Sequence, residues 1–297
     1  MTCCRSHSRH LFWLIIPFLV CSTAWARFNP SDFQTYEGRP VAEISITGNN
    51  ITKDYIIRRE IQTVVGDTLQ VQTLTGDVVR LENLSIFSSI EVLAAESDSG
   101  MVLTFTVREM PWILPFPALS YSEENGWSVG LGATSINLFG RAIAAAGSGM
   151  VGGTTQLDLL FHYPWITGNH VSLYAIARHL ERQDKLNEFD EKSNEVTPII
   201  GKYFGSAGRG KAILSWFQMN SDVAGKTLSS DNSDDLFRAG VSIGLDTRDS
   251  WRSPHRGWLL EGSLIATGGM LPGEGDFWSG VIDIRRYQPA VSSHTLV

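Results

Sequence analysis

The feature that most constrains this chain is a long turn, Asp246-Thr247-Arg248-Asp249 through Pro254 to Gly257, set between two runs of alternating residues. Before it, Phe237, Ala239, Val241, Ile243 and Leu245 alternate with Arg238, Gly240, Ser242, Gly244 and Asp246. Successive side chains of a strand point to opposite faces, so this period of two collects the apolar residues on one face and the polar ones on the other. Leu157, Leu159, Phe161 and Tyr163 against Gln156, Asp158, Leu160 and His162 repeat the pattern, as do Trp278, Gly280, Ile282 and Ile284 against Ser279, Val281, Asp283 and Arg285. From Pro115 to Tyr287 the chain therefore reads as strands joined by turns. Alternation alone fits a soluble sandwich, apolar face on a core, as well as a membrane barrel, apolar face on lipid.

The connections favour lipid. About ten strands are expected, and the turns alternate in kind: Leu138-Phe139-Gly140-Arg141, Pro164 to Asn169 and Phe204 to Gly208 are short, whereas Leu180 to Ser193 and Asn220 to Asp234 are long and polar. Tyr163, Trp165, Tyr203, Phe204, Trp258, Trp278 and Tyr287 lie near strand ends, where interfacial girdles are expected. The Gly-rich stretch around Gly147, Gly149, Gly152 and Gly153 reads as an external hairpin, since a phosphate loop would need Lys where Gly153 stands.

The first residues predict export. Arg5 and Arg9 precede the apolar run Leu11 to Val20 and an A-x-A site at Ala24-Trp25-Ala26, so residues 1–26 read as a signal peptide and the mature chain as starting at Arg27. A lipoprotein reading of Cys21 lacks the small residues a lipobox needs, Phe18-Leu19-Val20 standing there instead. All three cysteines lie in this segment, which leaves the mature chain neither disulfide nor thiol chemistry. After residue 26 there is no apolar run of about eighteen residues, so no membrane-spanning helix is expected. The net charge of −7 comes without a basic stripe, which argues against nucleic-acid binding.

Residues 27–40 are taken as an N-terminal extension and 41–110 as a small α+β domain of order β-α-α-β-β. Val41 to Ile46 alternates and stops at Thr47-Gly48-Asn49-Asn50. A helix follows with Thr52 as N-cap, Ile57, Ile61 and Val64 on one face, and Gly66 as its end; Leu74, Val78, Leu81 and Leu84 mark a second. Ser89 to Ala94 and Val102 to Val107 close the unit as strands. Ile44, Ile46, Ile90, Val92, Leu103, Phe105 and Val107 form the sheet face under the helices. Residues 111–117, with three prolines, read as a linker, and 118–297 as the barrel domain.

Specific motifs carry a family resemblance. Ile44-Ser45-Ile46-Thr47-Gly48-Asn49, Leu84 to Val92 and Val107-Arg108-Glu109 resemble a POTRA domain. Asn137-Leu138-Phe139-Gly140-Arg141, Tyr163-Pro164-Trp165-Ile166-Thr167-Gly168, and Asp246-Thr247-Arg248-Asp249 with Pro254 and Gly257 resemble the first, second and fourth periplasmic turns of the BamA-like outer-membrane assembly (bacterial surface antigen) superfamily. The resemblance implies an outer-membrane barrel of about sixteen strands. The lumen-loop Val-Arg-Gly-Phe/Tyr motif and the final aromatic-ended strand are not found before Val297, so the sequence is read as C-terminally truncated.

What the resemblance implies is a cofactor-free function: folding and inserting other barrel proteins, or translocating a polypeptide as in two-partner secretion. A passive channel or structural surface barrel is the rival class. The implied partners are outer-membrane lipid, unfolded barrel or secreted polypeptides, and periplasmic chaperones or accessory lipoproteins. The expected substrate contact is the strand edge Ser88, Ser89, Ile90, Glu91, Val92 and Leu93, where proline at Ser89 or Glu91 should remove a free donor. The expected barrel seam is Ala118, Leu119, Ser120, Tyr121 and Ser122. Asp246, Arg248 and Asp249 read as a charge-paired corner and not an acid/base or metal site. No H-x-x-x-H or HExxH spacing and no G-x-S-x-G elbow occurs, so neither metal nor enzyme is indicated.

Overall fold

The computed structural model describes residues 28–167, 171–184, 189–205, 207–250, 254–289 and 295–296; the signal peptide expected at 1–26 lies outside them. Two sheets form. The first has three strands, β1 (Val41–Thr47), β2 (Phe87–Ser97) and β3 (Gly100–Glu109), in the order β1-β3-β2, with β3 parallel to β1 and antiparallel to β2. Two helices, α1 (Asp54–Arg58) and α2 (Val71–Asn83), cover one face. Leu74, Val78 and Leu81 of α2 meet Leu103, Phe105, Val107, Ile90 and Val92 in a continuous core. Ile44 and Ile46 pack against it only partly buried.

The first helix stops earlier than its apolar spacing predicts. Asp77 on α2, fully buried, accepts the backbone N–H groups of Gln62 (2.7 Å) and Thr63 (3.1 Å) and the Thr63 hydroxyl (2.5 Å), and pairs with Arg80. A buried carboxylate needs such donors, and supplying them pulls the chain after Glu60 out of the helix; Val64 is left exposed. Thr52 is not the N-cap either: Lys53 holds that position without a side-chain bond. Residues 28–40 fold onto this domain: Phe33, from a 3-10 turn (Pro30–Tyr36), enters the core, and Glu37 accepts the Val71 N–H at the start of α2 (2.7 Å). Gly48 takes φ +85°, and a Cβ there would fall 2.0 Å from the Val107 carbonyl oxygen. Only glycine fits that turn.

The second sheet runs as an antiparallel meander of ten strands, plus a two-residue segment (Thr295–Leu296) paired with Gln288–Pro289. The strands are β4 (Leu114–Ser122), β5 (Gly126–Leu138), β6 (Ile143–Gly152), β7 (Thr154–Tyr163), β8 (Val171–Asp184), β9 (Phe189–Phe204), β10 (Gly208–Ser221), β11 (Ser233–Asp246), β12 (Gly257–Gly268) and β13 (Asp276–Pro289). Among the described residues the sheet does not close, and β4 is one edge. Its faces follow the period of two: Leu131, Val241, Ile243 and Ile282 stand exposed on one side, while Ser128, Ser215, Ser242 and Asp246 are buried on the other. Among the described residues no second sheet covers the apolar face, as a sandwich would require. Among the described residues no helix is long and apolar enough to cross a membrane.

Three local expectations change. Residues 114–117, expected as linker, belong to β4. Most of Leu180 to Ser193, expected as a loop, is strand: β8 and β9 run on together, tied by Arg182–Glu191 (2.7 Å) and Lys192–Glu181 (2.5 Å) ion pairs. Charge pairs across neighbouring strands stabilise such a ladder. Gly147, Gly149 and Gly152 lie within β6, and only Gly153 stands between β6 and β7.

Candidate functional site: two open strand edges

The expected substrate edge, Ser88 to Leu93, lies on β2, an outer strand of the small sheet. The opposite edge, β1, is partly occupied, since Val41 exchanges backbone bonds with Asp67 (2.9 Å) and Gly66 (2.8 Å). Two bonds set the phase of β3: Met101 N–H donates to the Pro40 carbonyl beside β1, and Met110 N–H donates to the Ile86 carbonyl beside β2, both at 2.9 Å. Even-numbered β3 residues thus face β2, and their partners Ser89, Glu91, Leu93 and Ala95 point inward to the ladder. The outward N–H and C=O groups belong to Ile90, Val92, Ala94 and Glu96. Proline at Ser89 or Glu91 would therefore break the sheet itself, which corrects the sequence-based choice of position. A cleft of about 710 Å³ lined by Ser88, Glu109, Met110 and Trp112 opens where β2 begins.

Ala118 to Ser122, the expected seam, is the C-terminal half of edge strand β4. Leu119 and Tyr121 are exposed on the apolar side, and the Tyr121 ring packs against Trp127 at 5.2 Å. Phe116 lies opposite Gly132 on the other face, over the space a Cβ would occupy there.

Between these edges the small domain is seated on two turns of the large sheet. Lys53 N–H donates to the Gly140 carbonyl (2.9 Å), and Asn137 Nδ2 donates to the buried Thr52 hydroxyl (2.8 Å) while its Oδ1 accepts from Ala142 N–H (2.9 Å). Gly140 has φ +69°, and a Cβ on it would meet the Ile51 carbonyl oxygen at 2.0 Å. Glu109, at the end of β3, accepts the N–H groups of Ile51 (3.0 Å) and Thr52 (2.5 Å) and so holds the loop that receives the turn. Ile136 and Ala142 join the small domain's core. At the next turn the Arg59 guanidinium lies 4.4 Å from the centre of the Trp165 ring, a cation–π contact, and pairs with Glu60 (3.1 Å). Trp165 is thus a seat for this domain and not a girdle residue. Burial pushes the Glu60 carboxyl above its ordinary range despite Arg59 beside it, and burial lowers Arg59.

The inner face carries a polar lattice that single strands did not reveal. Arg209 of β10 reaches across β11 to Glu261 of β12 (2.7 Å), passing over Gly244, where a Cβ would stand 3.1 Å from Arg209 Nε. Glu261 also accepts from Lys211 and Ser242, each at 2.7 Å. Tyr203, expected in a girdle, pairs with Arg209 in the register and faces this side. At the turn after β11, Arg248 forks onto Asp246 through Nε and Nη2 (2.7 Å each). Asp249 accepts the N–H groups of Ser250 (3.0 Å), His255 (2.9 Å) and Arg256 (3.2 Å) between Asp246 and Gly257, with Pro254 in the same turn. Desolvation raises its carboxyl, but these three bonds outweigh it and hold it below the ordinary range. Asp246 thus serves Arg248 and, at 3.5 Å, Arg209, while Asp249 Oδ1 serves the backbone of the turn. Among the described residues no group of three or more His, Cys, Asp or Glu is placed to hold a metal ion.

The comparisons agree with this architecture. The Omp85 superfamily domain model matches residues 137–297, and a POTRA model, described as surface antigen variable number repeat, matches residues 40–110. The chain is 26% identical over 172 residues to outer membrane protein assembly factor BamA of Buchnera aphidicola subsp. Acyrthosiphon pisum (strain APS), covering 57% of this chain and 27% of that protein. Its fold is similar to BamA from Haemophilus ducreyi lacking POTRA domains 1-3 (TM-score 0.60, 16% identity, 86% of this chain and 52% of that one). It is also similar to CdiB from Escherichia coli (TM-score 0.51, 11% identity, 87% and 52%). The chain thus spans about a quarter of the curated relative and about half of each solved chain. A POTRA domain packed on the turns of an antiparallel sheet, apolar outside and polar inside, with an Omp85 model over more than half of its length, makes this chain a member of the Omp85 superfamily, its barrel strands in a bacterial-type outer membrane and its POTRA domain in the periplasm.

Proposed function

We propose that the protein assists the folding and insertion of other barrel proteins into the outer membrane, without nucleotide or cofactor and without enzymatic turnover. One observation carries the reading: among the described residues two strand edges stand without a ladder partner, β2 of the small sheet and β4 of the large one, held in fixed relation by the Gly140 and Trp165 seats. An unfolded barrel polypeptide has the same need at both stations, a ladder partner for its exposed N–H and C=O groups. Edge β2 supplies it by β-augmentation in water. Edge β4 supplies it in lipid, where an unpaired backbone group costs several kcal/mol.

The test is crosslinking of an unfolded barrel protein to β2 in the full-length protein. Ala94→Pro and Glu96→Pro remove outward donors and leave the ladder to β3 intact, so capture should fall several-fold against Ala94→Ser and Glu96→Ala, with circular dichroism unchanged. Equal capture would move substrate contact away from this edge. Because CdiB shares the fold, depletion should be read for secreted polypeptides as well as for barrel proteins. Ion conductance with no effect on either would favour the passive-channel class.

A further inference from the structure

Edge β4 is not uniform along its length. The Gly153 N–H donates to the Trp127 carbonyl (2.8 Å), which sets the phase of β5: odd-numbered residues bond to β6 and even-numbered ones to β4. Their partners Leu114, Phe116, Ala118, Ser120 and Ser122 therefore point into the sheet. The outward positions are Pro115, Pro117, Leu119 and Tyr121. Proline has no N–H, so the half of the edge next to the POTRA domain offers carbonyl acceptors only, whereas Leu119 and Tyr121 offer both groups. The prolines cost β4 nothing, since no residue of β5 needs those donors.

We infer that Pro115 and Pro117 divide the β4 edge into a pairing half and a blunted half, so that an incoming extended polypeptide zips onto Leu119 to Ser122 and stays unpaired beside Leu114 to Pro117. This rests on the reading of β4 as a strand-accepting edge and adds where on it pairing occurs. The occupant is a strand of alternating apolar and polar residues. Leu119 and Tyr121 stand exposed on the apolar face of the sheet, and a strand added beside them must put its own apolar residues on that face to meet lipid. The blunted half keeps the periplasmic end of the seam open, where the polypeptide arrives from β2. Pairing begins only where the edge can donate.

The experiment uses the 297-residue chain in detergent micelles, with Cys3, Cys4 and Cys21 replaced by serine, and Leu114→Cys or Ser120→Cys introduced singly. The probe is a synthetic Leu/Thr alternating peptide of about ten residues, the length of a membrane strand, with one central cysteine. Disulfide yield at Ser120→Cys should exceed that at Leu114→Cys by roughly tenfold, the effect of two missing donors. Adding Pro115→Ala and Pro117→Ala should raise the Leu114→Cys yield toward the Ser120→Cys level. Equal yields at both positions with the prolines in place, or no gain on their removal, overturn the division of the edge while leaving β4 a strand acceptor. No disulfide at either position in either background overturns the strand-accepting reading and the inference with it.

Discussion

The POTRA sheet and the barrel sheet obey the same period of two, yet they hold together for opposite reasons. In the POTRA domain the apolar face meets helices, and Leu74, Leu81, Leu103 and Phe105 lose all contact with solvent. That burial drives folding in water. In the barrel sheet the described residues leave the apolar face uncovered, and Ile243 and Ile282 are 73% and 80% exposed. Its order comes from long backbone ladders and from the inner lattice of Arg209, Lys211, Ser242 and Glu261. The lesson is that a strand pattern states which face is apolar and leaves open what that face will touch.

The largest expected effect tests that contrast directly. Phe105→Ala, with no exposed surface to begin with, should destabilise residues 28–110 by about 3–5 kcal/mol in urea unfolding. Ile243→Ala, on the outer face, should change barrel stability in detergent by less than about 1 kcal/mol, because lipid tails are as apolar as the side chain removed. Ile243→Arg should cost about 2–4 kcal/mol if the residue sits at mid-membrane. An Ile243→Ala penalty as large as that of Phe105→Ala would mean the outer face is a protein core after all.

A smaller effect is expected on the inner face. Glu261→Ala strands Arg209 and Lys211 without their shared acceptor and should cost about 1–3 kcal/mol, read as a lower temperature of gel-shift collapse. Glu261→Gln keeps one acceptor oxygen and should recover part of that loss. No difference between the two variants would assign the stability to ladders alone.

What could be read from sequence follows from how local each cause is. The β-α-α-β-β order, the ten strands and the two faces repeat every two to four residues, and all were visible along single segments. The first helix was overdrawn because its terminator, Asp77, acts from 15 residues away on Gln62. Thr52 looked like an N-cap because its partner, Asn137, is 85 residues distant. Trp165 looked like a girdle residue until Arg59 was placed over it. Of the candidate edges, the strands were legible but their phase was not: which amides face outward depends on bonds such as Met110 to Ile86 and Gly153 to Trp127, between different strands. The prolines of β4 were seen as punctuation, and only register shows that they fall on the free side.

The seat between the two regions should respond weakly to pH. Glu60 is buried beside Arg59, and its pKa in the folded chain is raised above 4.5 because desolvation outweighs the attraction of the guanidinium. A carboxyl with a raised folded pKa binds its proton more tightly in the folded state, so the stability it contributes is full below 4.5 and is lost as pH rises through the folded value. Glu60→Gln mimics the protonated form at every pH and cannot titrate. Limited proteolysis of the POTRA domain in the whole chain should therefore open faster in the parent than in Glu60→Gln at pH 7, and the two should converge near pH 4. A parent that is the more resistant at pH 7 would show that the Arg59 pair, held against Trp165, outweighs the burial of its partner, and the seat would then count as an electrostatic lock.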